Sequence, residues 1–560
     1  RKESSGCLRN WDFGADAHAL QNADVFHSLR SGLEKTVKAY VNNVAQDQAQ
    51  PKILELTHKL SLTIENCLTL LLTLCESTDN AMGKFQEHSY LEVLLYMLTS
   101  PQAPGASVNV APQHTMLATH MRLLVCQCLY TISEDNEPLA ATLLGLPTAM
   151  AILTQTAQPI AFQNTANYTK PEMQVCLLSV VCTGILYNLS STKAAAQAST
   201  SITPNLMAPL RVVLGVDMLG ALPALLPLIA QASQIDSDKN ALAQFAQSMG
   251  GKETAEEKSK RLAETTVLDA VETARIAVKA QQLALEIYSN VLSDEYDNED
   301  DGSDAEMEEW DDIDEQSDNI QADTAMTSSV AHSADRRGST CDADIQALLL
   351  ARCVPCPAHI RQVLTSTSVG RDFHENLGIT QCRAVGALNN LCLADKPSTK
   401  PRYTTHPNDL WKKLTLVLFM SNGDTDLIAA TTGAMWTLLR SVETPSELIS
   451  VRDLPVASCE KICNHVLSSD EGTRTTIAGL VGCLGQMIAP EHRDSHTMIL
   501  KVLLHLLEDI CADVTAETLN SLYDAYAEPE FNNEMVALGY MQKLQTIGTT
   551  IKRKVSMHMI

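Results

Sequence analysis

Carboxylates crowd one stretch near the middle of the chain. Between Asp294 and Asp318, 15 of the 25 residues are Asp or Glu, and none is Lys or Arg. This stretch carries more than half of the net charge of −26. Closely spaced carboxylates attract cationic protein surfaces over long distances and repel nucleic acid. The chemistry predicted here is therefore electrostatic capture of a basic protein, without direct binding of DNA or RNA.

Apolar side chains are spaced among these acids but are too few to build a core. We therefore expect residues 293–340 to be a mostly disordered acidic insert that orders on a basic, partly apolar partner. An acidic solubilising spacer with an incidental Trp310 is the alternative. The candidate cargo-binding residues are Asp294, Glu295, Asp297, Glu299, Asp300, Asp301, Asp304, Glu306, Glu308, Glu309, Trp310, Asp311, Asp312 and Asp314.

No set of residues has the spacing of a catalytic or metal site. His492 and His496 are four apart, but no third ligand is clearly placed, so we expect surface histidines at a helix start. Cys353 and Cys356 have the spacing of half a zinc site, without a second close pair. The other cysteines lie in apolar runs typical of buried thiols in a reducing compartment. We predict a non-enzymatic protein without a cofactor.

The elements that must hold the acidic insert are helices. A small residue followed by apolar residues three and four apart recurs along the chain, and some of these copies are 48 or 101 residues apart. A period of about 40–50 residues predicts armadillo or HEAT repeats, which stack because one unit cannot bury its apolar face alone. The fold class is therefore predicted as an all-α solenoid superhelix. The central apolar residues of the copies are Leu71, Leu129, Leu186, Ile287, Leu388, Trp436, Leu484 and Leu522.

Composition divides the chain into four predicted parts. Residues 1–190 are armadillo-like repeats, residues 191–292 are further repeats that end in a long helix from Ala263 to Leu292, and residues 341–560 are HEAT-like repeats flanking the insert. No apolar run approaches the roughly 20 residues that cross a bilayer, so no membrane partner is expected. First helices of repeats are predicted at Val25–Val44, Tyr90–Leu98, Leu410–Phe419, Cys459–Val466 and Met498–Leu507.

The order of these features resembles one family. A repeat helix with the sequence Lys279–Ile287 continues through Asn290 into an acidic tract that contains Glu308-Glu309-Trp310, and Gly184–Ser190 lies upstream. This resembles the symportin-type armadillo/HEAT adaptors for synchronised import of ribosomal proteins and their animal HEAT-repeat relatives. The resemblance implies a monomeric chaperone that shuttles between cytoplasm and nucleus. It also implies two cargoes, the large-subunit ribosomal proteins that join 5S rRNA.

The resemblance further implies that one cargo docks on the acidic insert and that a peptide of the other lies in the superhelical groove. The groove residues that we predict are Tyr187, Asn188, Asn290, Asn390 and Trp436. The asparagines could bind the peptide main chain, or they could join helices within the stack.

An importin-beta-type receptor is implied to bind a proline-tyrosine signal at the N-terminus of the family. The sequence holds no Pro-Tyr dipeptide and begins with Arg1, so we expect that signal upstream of it.

Two other binding classes were weighed from the sequence. An armadillo import receptor for basic localisation signals needs a repeated Trp-x-x-x-Asn ladder, and no tryptophan here has Asn four residues later. An armadillo/HEAT scaffold subunit of another complex, with the acidic insert as a spacer, stays open as the alternative.

Overall fold

Helices account for the regular structure throughout the described part of the chain. The computed structural model describes residues 25–44, 51–77, 81–87, 89–99, 118–134, 136–159, 168–192, 206–245, 255–300, 343–393, 405–421, 423–442, 448–465, 470–527, 531–545 and 548. These ranges contain no strand, so the all-α prediction is confirmed. Two compact units divide the chain between Ile287 and Tyr288, and each is described by itself.

The first unit stacks three long helices side by side, α2 on α5 and α5 on α8 in the numbering below. Shorter helices precede each of them. Its helices are α1 (Val25–Val44), α2 (Pro51–Ser77), α3 (Ala81–Glu87), α4 (Tyr90–Thr99), α5 (Thr119–Ser133), α6 (Glu137–Leu144), α7 (Pro147–Thr156), α8 (Lys170–Ser190), α9 (Met207–Leu214), α10 (Met218–Phe245) and the first part of α11 (Ala255–Asp300).

The second unit repeats this arrangement with α14, α16, α19 and α21, each packed on the next. The remaining helices join this row as first helices of the repeats. After the end of α11 its helices are α12 (Ala343–Arg352), α13 (Ala358–Thr365), α14 (Ser368–Leu393), α15 (Pro407–Met420), α16 (Thr425–Ser441), α17 (Ile449–Arg452), α18 (Val456–Asn464), α19 (Glu471–Met487), α20 (Arg493–Leu506), α21 (Ala512–Tyr526) and α22 (Asn532–Ala537).

The predicted first helices are confirmed as α1, α4, α15, α18 and α20, within a few residues at their ends. The repeat copies are confirmed as core positions, because seven of the eight central residues are at most 3% exposed. Trp436 is the exception, since its side chain is only half-buried. The side chains at the equivalent positions of the other repeats are buried. Trp436 therefore places part of a large aromatic ring on the surface of its repeat.

The long helix differs from its prediction at both ends. It begins at Ala255 rather than Ala263 and continues past Leu292 to Asp300, so the first acids of the insert are helical. No glycine or proline interrupts the sequence between Leu292 and Gly302, and the packed part of α11 supplies a nucleus from which the helix continues. The prediction therefore placed the end of the long helix too early.

Buried polar side chains tie second helices to the ends of earlier helices. In α8, Ser179 Oγ donates to the carbonyl of Gln158 at 3.2 Å. In α11, Gln281 Nε2 donates to the carbonyls of Val213 at 3.2 Å and Val216 at 2.7 Å. These carbonyls lie at the end of α9 and just beyond it, and each also accepts a backbone N–H, so Gln281 adds a second hydrogen bond to each and holds α11 to the end of α9.

The same anchor recurs one repeat pair later. Gln381 Nε2 in α14 donates to the carbonyl of Val354 at 2.9 Å, just beyond α12. Gln281 and Gln381 are 100 residues apart, close to the spacing of 101 between Ile287 and Leu388. The contact therefore follows the internal repeat and fixes the register between a second helix and the connection before it.

Most of the described cysteines are buried thiols, as the sequence predicted. Burial raises the pKa of Cys67 to about 11, and it raises the pKa of Cys176 to about 12 with a smaller contribution from Glu172. The sulfurs of Cys126 and Cys182 lie 3.6 Å apart between α5 and α8. Thiols held protonated in this way serve packing rather than nucleophilic chemistry.

Among the described residues, two helices are long and apolar enough to cross a membrane by length and composition, Lys170–Ser190 and Met218–Ser237. The prediction that no apolar stretch is long enough to cross a bilayer was therefore wrong. In Lys170–Ser190 the apolar window is 72% buried within the protein, because α8 packs against α5, α7 and α9. In Met218–Ser237 the apolar window is 28% buried, and Pro223 and Pro227 lie inside the helix.

Candidate functional site

The predicted groove residue Asn188 contacts its own stack. Its amide Nδ2 donates to Ser133 Oγ at 3.1 Å and to the carbonyl of Tyr130 at 3.5 Å, so that it joins α8 to the end of α5. Tyr130 also donates from its hydroxyl to Glu286 Oε1 of α11 at 3.2 Å. The predicted neighbour Tyr187 is half-buried beside Asn188.

Asn390 has the same role in the second unit. Its Nδ2 donates to Ser289 Oγ at 2.8 Å and to Ser293 Oγ at 3.0 Å, which joins α14 to the end of α11. The adjacent Asn389 accepts from Thr437 Oγ1 of α16 at 2.7 Å. This pair of asparagines therefore holds α14 to a helix on each side.

Asn290 is the member of the series that differs. Its side chain is exposed and makes no hydrogen bond to any other residue in the described ranges. The amide nitrogens of Asn188 and Asn390 match the alternative weighed above, contact within the stack. Only Asn290 presents a whole amide group to solvent, so contact with a peptide main chain stays a prediction that falls mainly on this residue.

The predicted acidic residues lie largely outside the described part of the chain. The first five, from Asp294 to Asp300, stand on the last turns of α11, and their side chains are not among those described. The residues from Asp301 to Asp314, with Trp310, lie outside the described ranges. Their role in binding stays a prediction.

Trp436 is the centre of a polar cluster that sequence reasoning found only in part. We call this group the Trp436 cluster, and it lies on three helices of the second unit that pack one on the next. Trp436 and Arg440 come from α16, Gly479 and Cys483 from α19, and Glu517 and Asp524 from α21. The Arg440 guanidinium carbon lies 5.6 Å from the centre of a Trp436 ring, a cation–π distance.

A carboxylate of this cluster is in an unusual setting. Glu517 is half-buried, and it makes no hydrogen bond or ion pair with another described residue. Burial raises the pKa of Glu517, the nearby Arg440 lowers it, and the Asp524 carboxylate raises it further. Half-buried carboxylates normally gain a partner, because desolvation of the charge costs free energy otherwise.

The missed members of the cluster had a weak signal in the sequence. Arg440 follows Trp436 by four residues and Asp524 follows Glu517 by seven, and both spacings place side chains on one helix face. Nothing in either pattern shows that α16 and α21 meet across Gly479. That contact depends on the packing of three helices, which a single sequence does not specify.

Metal-ligand side chains come together once among the described residues. Glu471, Cys511 and Asp513 place one possible ligand atom each within 4.8 Å of one another. The Cys511 thiol donates to Glu471 Oε1 at 2.8 Å, and Arg474 pairs with Asp509 at 2.7 Å beside it, so the group is explained by its own contacts.

The two residue pairs that were first considered as ligands lie elsewhere. Cys353 and Cys356 are both buried and do not belong to that group. The expectation of surface histidines was wrong for His496, which is fully buried between Tyr526 Oη at 3.2 Å and the carbonyl of Ala489 at 3.3 Å. His496 completes an aromatic core with Tyr526 and Phe531, which periodicity alone could not show.

A comparison with protein families identifies the repeats of the second unit. Residues 340–559 match the sequence model of the family described as SYO1-like, TPR repeats. The repeats of this part of the chain are therefore similar to those of the symportins. The family description calls the repeats TPR, whereas their spacing predicted HEAT-like units; both are stacked helix-pair repeats. A search of curated proteins gave no significant match.

The match of residues 340–559 to SYO1-like repeats, together with the helix packing, confirms that the fold is an all-α repeat solenoid. SYO1-like repeats belong to a family of non-enzymatic adaptors, and the family suggests a role as a ribosomal-protein chaperone or import adaptor. The match covers all of the Trp436 cluster, together with Asn390, and lies directly after the acidic insert.

Proposed function

We propose that this protein is a chaperone and nuclear-import adaptor for the two basic large-subunit ribosomal proteins that join 5S rRNA. The observation that carries the proposal is the position of the acidic stretch, Asp294–Asp318, directly before SYO1-like repeats. One cargo docks on the acidic insert, and a peptide of the other lies along the second helices.

Electrostatics supports the choice of cargo. Ribosomal proteins carry dense positive charge that is neutralised by RNA in the ribosome. A run of 15 acids in 25 residues can cover such a surface and speed the encounter between the two proteins. Ribosomal RNA presents a denser array of charge, so it displaces the insert and takes over the cargo.

The second helices support the peptide part of the proposal. Asn290 presents an amide that can both donate to and accept from an extended main chain. The Trp436 cluster adds an aromatic face and two carboxylates on the neighbouring repeats. Since Asn188 and Asn390 use their amide nitrogens within the stack, their oxygens are the atoms left to accept from a peptide.

Transport follows from the same proposal. The loaded adaptor binds an importin-beta-type receptor, carries its cargo as a monomer from the cytoplasm to the nucleus, and returns empty. It needs no membrane contact and no cofactor in this cycle.

The test is a titration of the full chain with each purified ribosomal protein of the 5S particle. The comparison variant has every Asp and Glu of 294–318 changed to Asn or Gln. We expect one cargo to lose at least about a hundredfold in affinity and most of its salt dependence, because each neutralised contact removes part of the slope. The peptide-bound cargo should keep its affinity within about threefold.

A scaffold function would give a different result. If the amide variant bound both ribosomal proteins as tightly as the parent chain, the insert would be a spacer and the proposal would fail. Failure of both proteins to bind the parent chain would reject ribosomal cargo altogether. A competition with 5S rRNA completes the test, since the RNA should release the insert-bound cargo.

A further inference from the structure

Trp436 and Glu517 meet over a residue without a side chain. A methyl group on Gly479 would lie 2.4 Å from Trp436 Cζ2 and 2.9 Å from Glu517 Oε1, so both side chains approach the same point. An aromatic face and a carboxylate oxygen are therefore neighbours, brought together by α16, α19 and α21. Any larger residue at position 479 would push them apart.

The two carboxylates of the Trp436 cluster do not pair with other side chains of the described residues. Glu517 and Asp524 are two helical turns apart on α21, and neither makes a hydrogen bond or ion pair with another described residue. By contrast, Glu286 in the first unit accepts from Tyr130 at 3.2 Å. Unpaired acids beside a tryptophan favour a cation as the missing partner.

The protein places a cation of its own, Arg440, at the Trp436 ring. The Arg440 guanidinium lies over the Trp436 ring at 5.6 Å, and it faces the Glu517 carboxylate without forming an ion pair within 4.0 Å. Arg440 is exposed at the end of α16, where its long side chain can turn away into solvent. This contact shows that the aromatic face accepts a flat cation, and the Glu517 carboxylate, although Arg440 lowers its pKa, forms no hydrogen bond or ion pair with a described residue.

We propose that Trp436, Glu517 and Asp524 form a subsite for one Arg or Lys side chain of an extended basic peptide, and that Arg440 is an internal occupant which this side chain displaces. The subsite deepens the proposed function, because it specifies which cargo group the second helices of the SYO1-like repeats bind. Arg440 lowers the affinity of the empty subsite and so selects peptides whose cation fits the ring and both acids.

The proposed subsite predicts that substitutions of Glu517 and of Arg440 change the affinity for the peptide in opposite directions. Glu517→Gln keeps the shape of the side chain and removes the charge, so it should weaken peptide binding about tenfold. Arg440→Ala removes the competitor and should strengthen binding about threefold. A residue that only stabilises the fold would not give a gain of affinity when it is removed.

The experiment uses the full chain with the acids of 294–318 changed to amides, so that the insert does not bind the probe. The probe is a fluorescent, extended nonapeptide with alternating Arg and Ser, and the matched control probe carries citrulline in place of Arg. Glu460→Gln is the matched protein control, since Glu460 is an exposed acid on α18. Binding is measured by fluorescence anisotropy, and circular dichroism checks that each variant is folded.

The subsite requires tighter binding of the Arg probe than the citrulline probe, a loss with Glu517→Gln, a gain with Arg440→Ala and no change with Glu460→Gln. Equal affinities across the variants, or a loss with Arg440→Ala, would overturn it. Ribosomal-protein capture by the parent chain could still succeed in that case, which leaves the proposed function intact. The reverse outcome, Glu517-dependent peptide binding without ribosomal cargo, would instead reject the proposed function alone.

Discussion

The first unit and the Trp436 cluster of the second unit use polar side chains on their second helices in opposite ways. In the first unit these groups pair with one another, as Asn188 does with Ser133 at 3.1 Å and Tyr130 with Glu286 at 3.2 Å. In the second unit the Trp436 cluster leaves its carboxylates without hydrogen-bond or ion-pair partners among the described residues. The comparison teaches that a polar residue on a repeat helix is structural when its partner is in the neighbouring repeat, and available for a ligand when it is not.

The largest expected effect tests how tightly the first unit is closed. A methyl group on Gly184 would lie 2.6 Å from Tyr130 Cε2 and 3.0 Å from Ile287 Cδ1, so there is no space for a larger residue. We expect Gly184→Val to destabilise the protein by about 3 kcal/mol through overpacking. Thermal denaturation followed by circular dichroism measures the loss.

Gly386 is the matched control in the second unit, because a methyl group there meets no atom within 4 Å. Gly386→Ala should be neutral or should stabilise α14 by up to about 1 kcal/mol, since alanine favours the helix. A Gly184→Val variant as stable as the parent chain would show that α5, α8 and α11 are not packed as closely as described.

The next effect concerns the anchors that set the register of the repeats. Gln281→Ala removes two buried hydrogen bonds to the carbonyls of Val213 and Val216, which keep their backbone donors, a cost of about 1–2 kcal/mol. Hydrogen exchange should rise in residues 207–216 rather than evenly along the chain. Lys279→Ala, on the exposed side of the same helix, should leave that exchange unchanged.

A smaller effect separates the three asparagines. Asn188→Ala and Asn390→Ala should each destabilise the protein by about 1 kcal/mol, because each removes hydrogen bonds between neighbouring helices. Asn290→Ala should leave stability unchanged and should weaken peptide binding severalfold. Urea denaturation of the three variants measures stability, and fluorescence anisotropy measures peptide binding. Equal destabilisation by all three substitutions would show that Asn290 is structural in the same way as Asn188 and Asn390.

The smallest effect is a pH dependence of peptide binding. Because burial and Asp524 raise the pKa of Glu517 against the opposing effect of Arg440, this carboxyl gains a proton at a higher pH than an ordinary surface Glu with a pKa of about 4.3. Arg and Lys probes stay charged throughout, so binding to the insert-neutralised chain should weaken as the pH falls through the raised pKa.

Glu517 lies close to other groups that can carry charge. Arg440, Asp524 and the Cys483 thiol are the other titratable groups that interact with Glu517. Glu517→Gln should therefore flatten the profile above the range in which surface carboxyls titrate. An unchanged profile in that variant would assign the pH dependence to another group.

Periodicity was enough to predict the helices and the core of this protein. Val25–Val44 was predicted with the ends that the structure shows, and the repeat residues from Leu71 to Leu522 are buried apart from Trp436. These features depend on local spacing, which the sequence displays directly. The same reasoning placed Asn188 and Asn390 on second helices but could not decide which atoms they bind.

What periodicity missed depends on contacts between distant residues. The meeting of Trp436 and Glu517 over Gly479 joins positions on three helices, and the burial of His496 depends on Tyr526 and Phe531. The end of α11 was missed for a different reason. Acidic residues at a helix C-terminus oppose the helix dipole, but their cost is smaller than the gain from extending a packed helix without glycine or proline.

The most direct test of the central claim is native mass spectrometry of the full chain mixed with both ribosomal proteins of the 5S particle. The account predicts one complex that holds one copy of each cargo on one adaptor. It also predicts that the chain with amides in 294–318 retains only the peptide-bound cargo. A mixture in which the two ribosomal proteins exclude each other, or in which the amide variant still holds both, would contradict it.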